Sequence, residues 1–190
     1  MSTETSKVQD LMTASMVANR GSVEGVGAGG VFTVTCIGAD GQEKWSDEFH
    51  NLVVNQGLQD MNSKYFKSVG YTAAWYLGLV SGASTPTYAA GDTLASHAGW
   101  TENANYVDTR KQVTFGTATT ADPSVISNSA SVSVFTMTTN GTVIAGAFLC
   151  NAATGTSGVL FSAGNFSGGN KSVDSGDTLN VTYQFSLDAA

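Results

Sequence analysis

Two histidines, His50 and His97, limit the acid–base and metal chemistry available to this chain. His50 follows Phe49 at the expected end of a strand, and His97 lies in a Ser-His-Ala-Gly segment. Neither belongs to a Cys/His set with the spacing of a zinc site, so both are expected to be surface or loop-packing residues. A Ser-His-Asp set could be drawn from His97, Asp92 and one of many serines, but no Gly-x-Ser-x-Gly turn supports it. We expect no catalytic residues, and the protein is not predicted to be an enzyme.

Glycine-rich and carboxylate-bearing segments are candidate sites for phosphates or cations. The string Gly25-Val-Gly-Ala-Gly-Gly30 follows no predicted strand, precedes no predicted helix and lacks Lys-Ser or Lys-Thr, so it is interpreted as a linker. Asp174, Asp177 and Asp40 lie in turn-rich segments, but a calcium loop needs several carboxylates at fixed short spacing. Asp177 is expected to stabilise a turn, with Gly176 at positive φ. We therefore expect no metal and no cofactor.

Three tryptophans, Trp45, Trp75 and Trp100, are candidates for a sugar-binding cleft or for core and corner positions of a sandwich. Trp100 lies in a long segment, 81–106, that carries few strand signals. Long loops in compact domains are usually functional or packed as their own cluster. Trp100 is therefore a candidate contact residue, and both interpretations stay open.

The elements that must position these residues are mostly strands. Apolar and polar residues alternate in successive runs from Val31 to Leu187, and Gly, Asn-Gly and Asp-Gly turns separate the runs. Such alternation is typical of strands with one buried face. In the last run, 179–187, the odd-numbered residues are predicted to face the core and Gln184 to face outward. The run Val143–Cys150 is apolar on both faces and is predicted to be a central strand.

Turns and caps complete the predicted elements. Ala39-Asp-Gly41 predicts a hairpin turn, and Asn140-Gly141 predicts a second hairpin with a type I′ turn. Asn55 is a candidate N-cap of a short helix, 56–66, whose apolar stripe consists of Leu58, Met61 and Tyr65. Asp92 is a candidate N-cap for one further turn.

About eight strands are unlikely to lie in one flat sheet, so the expected fold is an all-β, two-sheet β-sandwich, jelly-roll-like, over residues 31–190. One or two short helices and an extended N-terminal arm complete the expected architecture. Residues 1–30 are predicted to be a flexible arm and Gly-rich linker, in which Val8, Leu11, Met12 and Met16 follow helical spacing. This stripe is a candidate to dock on a neighbouring subunit, and the alternative is a disordered terminus.

Composition excludes several classes of partner. The chain of 190 residues has a net charge of −7 with only 8 Lys and Arg, so no basic patch for nucleic acid is expected. It lacks a signal-peptide pattern and a stretch of about 20 apolar residues, which predicts no membrane association and a cytoplasmic origin. Cys36 and Cys150 lie in apolar runs and are expected to be buried thiols. Charged residues form only 12%, which suits a subunit of an assembly or, alternatively, a Thr/Ser-rich β domain.

Four segments together resemble tailed-bacteriophage virion proteins, most closely the head decoration, or cement, proteins. They are His50-Asn-Leu-Val-Val-Asn-Gln-Gly-Leu58, Trp75-Tyr-Leu-Gly-Leu-Val-Ser-Gly82, Ala90-Gly-Asp-Thr-Leu-Ala-Ser-His-Ala-Gly-Trp100 and Ser175-Gly-Asp-Thr-Leu-Asn-Val181. The resemblance covers most of residues 31–187 and leaves the arm unmatched. It implies a β-sandwich subunit on the capsid surface of the virion that clamps neighbouring major capsid proteins, often as a dimer or trimer. It implies no catalytic residues.

Three functions remain as hypotheses. The first is a capsid decoration subunit that is assembled in the host cytoplasm and forms a homo-oligomer with its partner, the major capsid protein. The second is a tail, neck or fibre-attachment subunit. The third, from another class, is a carbohydrate- or receptor-binding module that uses Trp100 and the segment 81–106.

Overall fold

The computed structural model describes residues 26–71 and 74–189 and has the predicted all-β architecture of two antiparallel sheets packed face to face. Twelve strands and one helix lie in these described residues. The strands are β1 (Val26–Ile37), β2 (Glu43–His50), β3 (Leu52–Val53), β4 (Trp75–Ser81), β5 (Glu102–Asn103), β6 (Lys111–Val113), β7 (Ser124–Ser127), β8 (Ser133–Thr136), β9 (Thr142–Cys150), β10 (Leu160–Asn165), β11 (Lys171–Val173) and β12 (Thr178–Ala189), and the helix is α1 (Asn55–Phe66).

The first sheet has the order β2-β1-β12-β7, with β8 also paired to β12. Its centre is the antiparallel pair of β1 and β12, which runs without a shift from Val26 opposite Ala189 to Ile37 opposite Thr178. The second sheet has the order β3-β10-β9-β4-β5, with β11 also paired to β9 and β6 to β4.

The strict alternation of the last strand corresponds to burial as predicted for its first half. Leu179, Val181 and Tyr183 are fully buried, whereas Phe185 is only partly buried against the core and Leu187 is also partly exposed. The sandwich interior therefore ends before the strand does, and Phe185 packs edge to face on Phe161 of β10 at 5.2 Å. Period-2 spacing determines the side on which a residue lies, but not how far the other sheet extends over it.

The central position of β9 is confirmed. Ile144, Ala147 and Leu149 belong to the core cluster between the sheets. On the other face of the strand, Ala145, Phe148 and Cys150 belong to a second cluster, to which the segment after β4 contributes Leu94 and Trp100. This segment therefore covers the second sheet, and the thiols of Cys36 and Cys150 are both free and buried, as predicted.

Of the two predicted hairpins, one is correct. β1 and β2 pair as a hairpin around Gly41, which has a φ of 80°. The Asn140-Gly141 hairpin was wrong: this turn joins β8 in the first sheet to β9 in the second, and only Gly141 has positive φ (64°), so the turn is not type I′. A turn does form at this position, but β8 pairs with β12 and not with β9.

The helix forms one residue earlier than predicted, and its capping was wrong. Val54 occupies the N-cap position without a side-chain cap, and Asn55 is the first helical residue. The helix approaches β10 through Gly57, where a Cβ would lie 2.6 Å from the carbonyl oxygen of Phe161. Since this contact sets the helix orientation, only Met61 of the predicted stripe packs on the core, while Leu58 and Tyr65 are exposed.

Two further sequence expectations need correction. Asp92 caps no helix, because its Oδ2 accepts hydrogen bonds from the Ala89 N–H and from Trp100 Nε1. The predicted boundary at residue 30 was also wrong, because β1 begins at Val26 and Gly27–Gly30 pair with Phe185–Asp188. At Gly30 a Cβ would lie 2.5 Å from the Tyr183 hydroxyl, so glycine here permits close packing. Val8, Leu11, Met12 and Met16 lie outside the described residues.

Candidate interaction surface

The outer face, as the term is used below, consists of the three middle rows of outward-facing residues on the first sheet, and it carries one charged side chain. Directly opposite residues of antiparallel strands point to the same side, so the strand register arranges the outer face in rows. The first row is His50, Val31, Gln184 and Ser127; the second is Glu48, Thr33 and Thr182; the third is Ser46, Thr35, Asn180 and Val134. With histidine neutral, Glu48 is the only charged side chain of these three rows.

Hydroxyl groups of the outer face are largely engaged within it. Thr35 Oγ1 and Ser46 Oγ lie 3.1 Å apart, and Thr182 Oγ1 donates to the Thr33 carbonyl oxygen at 3.4 Å. These contacts leave threonine methyl groups and valine side chains to face solvent, and Val134 is 45% exposed. Covering such a surface with another protein removes few charged groups from water, and charge depletion is typical of interface centres.

Of the interface residues predicted from sequence, Gln184 is exposed in the middle of the outer face. Of the two interpretations left open for Trp100, burial favours the packed one, because the residue is only 2% exposed. Its ring packs against His97 at 3.9 Å and Phe148 at 5.2 Å between centroids. The segment after β4 is thus packed as its own cluster, with this tryptophan inside.

The residues considered for a Ser-His-Asp set are engaged elsewhere. Asp92 Oδ2 accepts the Trp100 indole N–H at 3.1 Å, whereas His97 Nδ1 lies 3.0 Å from the Trp100 carbonyl oxygen. The acid and the imidazole therefore both bind Trp100 and hold the fold of the segment. No group of three or more His, Cys, Asp or Glu side chains within 26–71 and 74–189 is arranged to hold a metal ion.

A buried ion pair that the sequence did not indicate joins the segment after β4 to the end of β9. Arg110, 7% exposed, donates from Nε and Nη2 to the two carboxylate oxygens of Glu102 at 2.8 and 2.7 Å. Arg110 Nη1 donates to the Ala152 carbonyl oxygen at 3.0 Å. Burial acts to lower the pKa of Arg110, but the hydrogen bonds to Glu102 outweigh it, and the pKa is raised. No local pattern in the sequence links Glu102, in β5, with a residue eight positions later.

Two buried aspartates connect loops to strands. Asp177 accepts hydrogen bonds from Lys44 Nζ at 2.7 Å and from the Asp174 N–H at 2.9 Å, and Gly176 before it has a φ of 90°, as predicted for this turn. Burial opposes ionisation of Asp177, yet the Lys44 hydrogen bond keeps its pKa below the ordinary value. Burial and the nearby Asp177 raise the pKa of the Cys36 thiol to about 11, so this thiol is a poor nucleophile at neutral pH.

Asp47 makes the corresponding connection between β2 and the loop after β10. Its carboxylate accepts the Ser167 hydroxyl and N–H, both at 2.8 Å, and the Gly168 N–H at 2.9 Å. Lys171 Nζ lies 3.6 Å away. Burial acts to raise the pKa of Asp47, but these hydrogen bonds lower it overall. Asp47, like Asp177 and the Arg110 pair, is thus committed to holding the fold.

A second exposed surface lies at the end of α1 and includes Tyr65, which was predicted to belong to the buried stripe of the helix. Residues 65–71, called the aromatic segment below, form the last turn of α1 and the chain after it. Tyr65 and Tyr71 are each 83% exposed and Phe66 is 76% exposed. The only indication of this surface in the sequence is the clustering of aromatic residues within 65–71. The periodicity of apolar residues does not show whether they form a core stripe or a surface patch.

No family model matches the chain, no curated protein matches it, and no solved structure matches it. In the described parts of the chain, no helix has the length and apolar character needed to cross a membrane.

Proposed function

We propose that this protein is a structural subunit that binds other protein subunits through the outer face of the first sheet. The observation that carries the proposal is the set of three adjacent rows in which Glu48 is the only charge. A partner that covers this face desolvates hydroxyls, amides and methyl groups, which costs less free energy than desolvating carboxylates or ammonium groups. The outer face is also built on the longest strand pair of the fold, which makes it a preorganised surface.

The assembly we propose is the head of a tailed bacteriophage, with the protein as a decoration subunit on the major capsid protein. The support for this finer proposal is the resemblance of the four sequence segments named above. A tail, neck or fibre-attachment subunit is the alternative within the same class. The carbohydrate-binding alternative depended on an accessible Trp100, and the burial of that ring leaves it without its main residue.

Charge placed on the outer face tests the proposal directly. Gln184→Lys and Thr182→Lys each put an ammonium group in the centre of the outer face. Thr156→Lys is the matched control, because Thr156 is exposed in the turn between β9 and β10 of the other sheet. Purified variants are mixed with tailed-phage heads that lack the protein, and the bound fraction is measured after sedimentation.

We expect both outer-face variants to bind at least tenfold more weakly and the control to bind like the unmodified protein, with all three melting alike. Equal binding by all variants would exclude the outer face as the interface. Gel densitometry of purified particles tests the place occupied: hundreds of copies indicate head decoration, tens or fewer indicate a tail part, and absence from particles overturns the phage assignment.

A further inference from the structure

The aromatic segment exposes an unusual amount of apolar surface for a short stretch of chain. Tyr65, Phe66 and Tyr71 are 76–83% exposed and Val69 is 53% exposed. Together they present on the order of 500 Å² of side-chain surface, since a large aromatic side chain has about 150–250 Å². The largest apolar patch on a typical monomer is about 300–600 Å², and such a patch is often functional.

Backbone contacts hold the segment in one place beside the helix. Ser68 has a φ of 54°, which reverses the chain after α1. The N–H groups of Lys67 and Val69 then both donate to the Ser63 carbonyl oxygen, at 3.1 and 3.3 Å. The rings of Tyr65 and Phe66 meet edge to face at 4.9 Å. The patch therefore combines the last turn of the helix with the chain that folds back on it.

A series of ring contacts leads from the strand that follows the patch to the end of the sandwich where β1 begins. The chain that follows it enters β4 at Trp75, whose ring lies 5.4 Å from that of Phe161, and Phe161 lies 5.2 Å from Phe185. Phe185 pairs with Gly30 of β1, and Gly30 lies four residues after Val26, the first residue of that strand. The Asn51 N–H, shortly before α1, donates to the Gly30 carbonyl oxygen at 3.1 Å.

We propose that residues 8–16 of the same chain cover the aromatic segment in the free subunit. Their apolar residues are Val8, Leu11, Met12 and Met16, and methionine sulfur makes favourable contacts at the edges of aromatic rings. The nine residues 17–25 separate Met16 from Val26 and can span up to about 30 Å at roughly 3.3 Å per residue. This length reaches across one end of a domain of this size, whose radius of gyration is about 16 Å.

Residues 8–16 of the same chain are favoured over a second subunit as the occupant of the aromatic segment, because their effective concentration is higher. A connection of nine residues holds the tethered segment at an effective concentration of about millimolar, which exceeds ordinary concentrations of a second subunit. The docking concerns the free subunit and is tested without any particle, so it stands or falls separately from binding through the outer face.

Disulfide trapping in the full chain tests this docking. Thr13→Cys is combined with Lys67→Cys, which places thiols beside the stripe and the patch without removing their apolar side chains. The matched control combines Thr13→Cys with Gln42→Cys, an exposed position in the β1–β2 turn at the opposite end of β1. The two native cysteines are buried and do not compete.

With oxidised glutathione at micromolar protein, we expect the 13/67 pair to form an intramolecular disulfide at least tenfold faster than the 13/42 pair. Tyr65→Ser with Tyr71→Ser in the 13/67 background should reduce the rate to that of the control. Equal rates for both pairs, or a rate insensitive to the serine variants, would overturn the proposal. A cross-linked dimer that grows with protein concentration would assign the patch to a second copy and overturn docking within one chain.

An apolar dye supplies a second readout. Leu11→Ser with Met12→Ser weakens the stripe without touching the described fold, so we expect the fluorescence of bound anilinonaphthalene sulfonate to rise several-fold. The rise should be absent when Tyr65→Ser and Tyr71→Ser are also present. No rise in the first variant would show that the patch is not covered by these residues.

Discussion

Glu102→Gln is predicted to destabilise the fold strongly, because it leaves the buried Arg110 guanidinium without its counter-charge. Arg110 is 7% exposed and directs Nε and Nη2 at the two Glu102 oxygens at 2.8 and 2.7 Å. Its remaining contacts are the Ala152 carbonyl oxygen at 3.0 Å, the Cys150 thiol at 3.6 Å and the Phe148 ring at 5.2 Å, and none of them supplies a negative charge. Glutamine keeps the size of the side chain and can accept at only one of the two positions.

The magnitude follows from burial. Breaking a buried ion pair by removing one partner costs about 3–5 kcal/mol, because a charge stays buried without compensation. The Glu102 side chain is 27% exposed, so water can approach the pair, and we expect a loss near the lower end, about 3 kcal/mol. Arg110→Met removes the buried charge and should cost less, because Glu102 can turn its carboxylate to solvent. In the double variant most of the Glu102→Gln penalty should disappear.

Urea unfolding at pH 7, followed by tryptophan fluorescence, measures these differences. Glu43→Gln makes the same chemical change on an exposed residue of β2 and should stay within about 0.5 kcal/mol of the unmodified protein. The double-variant cycle should yield a coupling energy of at least about 1 kcal/mol. A loss of less than about 0.5 kcal/mol for Glu102→Gln, or additive single effects, would refute the reasoning that Arg110 is buried and charged.

Three further predictions concern backbone space and pH. Gly78→Ala places a Cβ 2.3 Å from the Phe148 ring and should cost about 1–3 kcal/mol, whereas Gly91→Ala meets nothing within 4 Å and should be nearly neutral in the same melting assay. Gly141→Val forces a β-branched residue to a φ of 64° and should cost about 1–3 kcal/mol in thermal unfolding; a wild-type melting temperature would contradict that turn. Asp47 has a lowered pKa, so its contribution to stability is complete above about pH 4 and is lost as the pH falls further. Asp47→Asn should therefore be less stable at pH 7 and show a shallower acid-induced loss, and an unchanged acid profile would show that Asp47 does not drive it.

Much of the strand content was predictable from sequence because side chains alternate across a pleated strand whatever its partner is. The buried residues Leu179, Val181 and Tyr183, the burial of 144–150 on both faces of β9 and the turn at Gly41 all follow from this local rule and from glycine stereochemistry. The placement of Gln184 on an exposed face follows from the same alternation.

The interaction surface was only partly predictable. The alternation in the sequence placed Gln184 on the outward side. The charge-poor rows of the outer face, however, result from the register of β1 with β2 and β12, and no local sequence pattern specifies that register. The sequence left the position of Trp100 open for a related reason. Nothing within the segment 81–106 shows that it folds back over Phe148, so the ring could be exposed or buried as far as the sequence is concerned.

The sequence by itself determined the all-β class, the positions of the central strands, the buried thiols and the low surface charge, because each depends on residue type and short spacing. Only the tertiary structure decided which strands pair. It extended β1 through Gly27–Gly30, assigned the Asn140-Gly141 turn to a crossing between sheets, paired Glu102 with Arg110 and left Tyr65 in solvent. These outcomes depend on contacts between residues far apart in the chain, and the free energy of such contacts is determined by the whole packed fold.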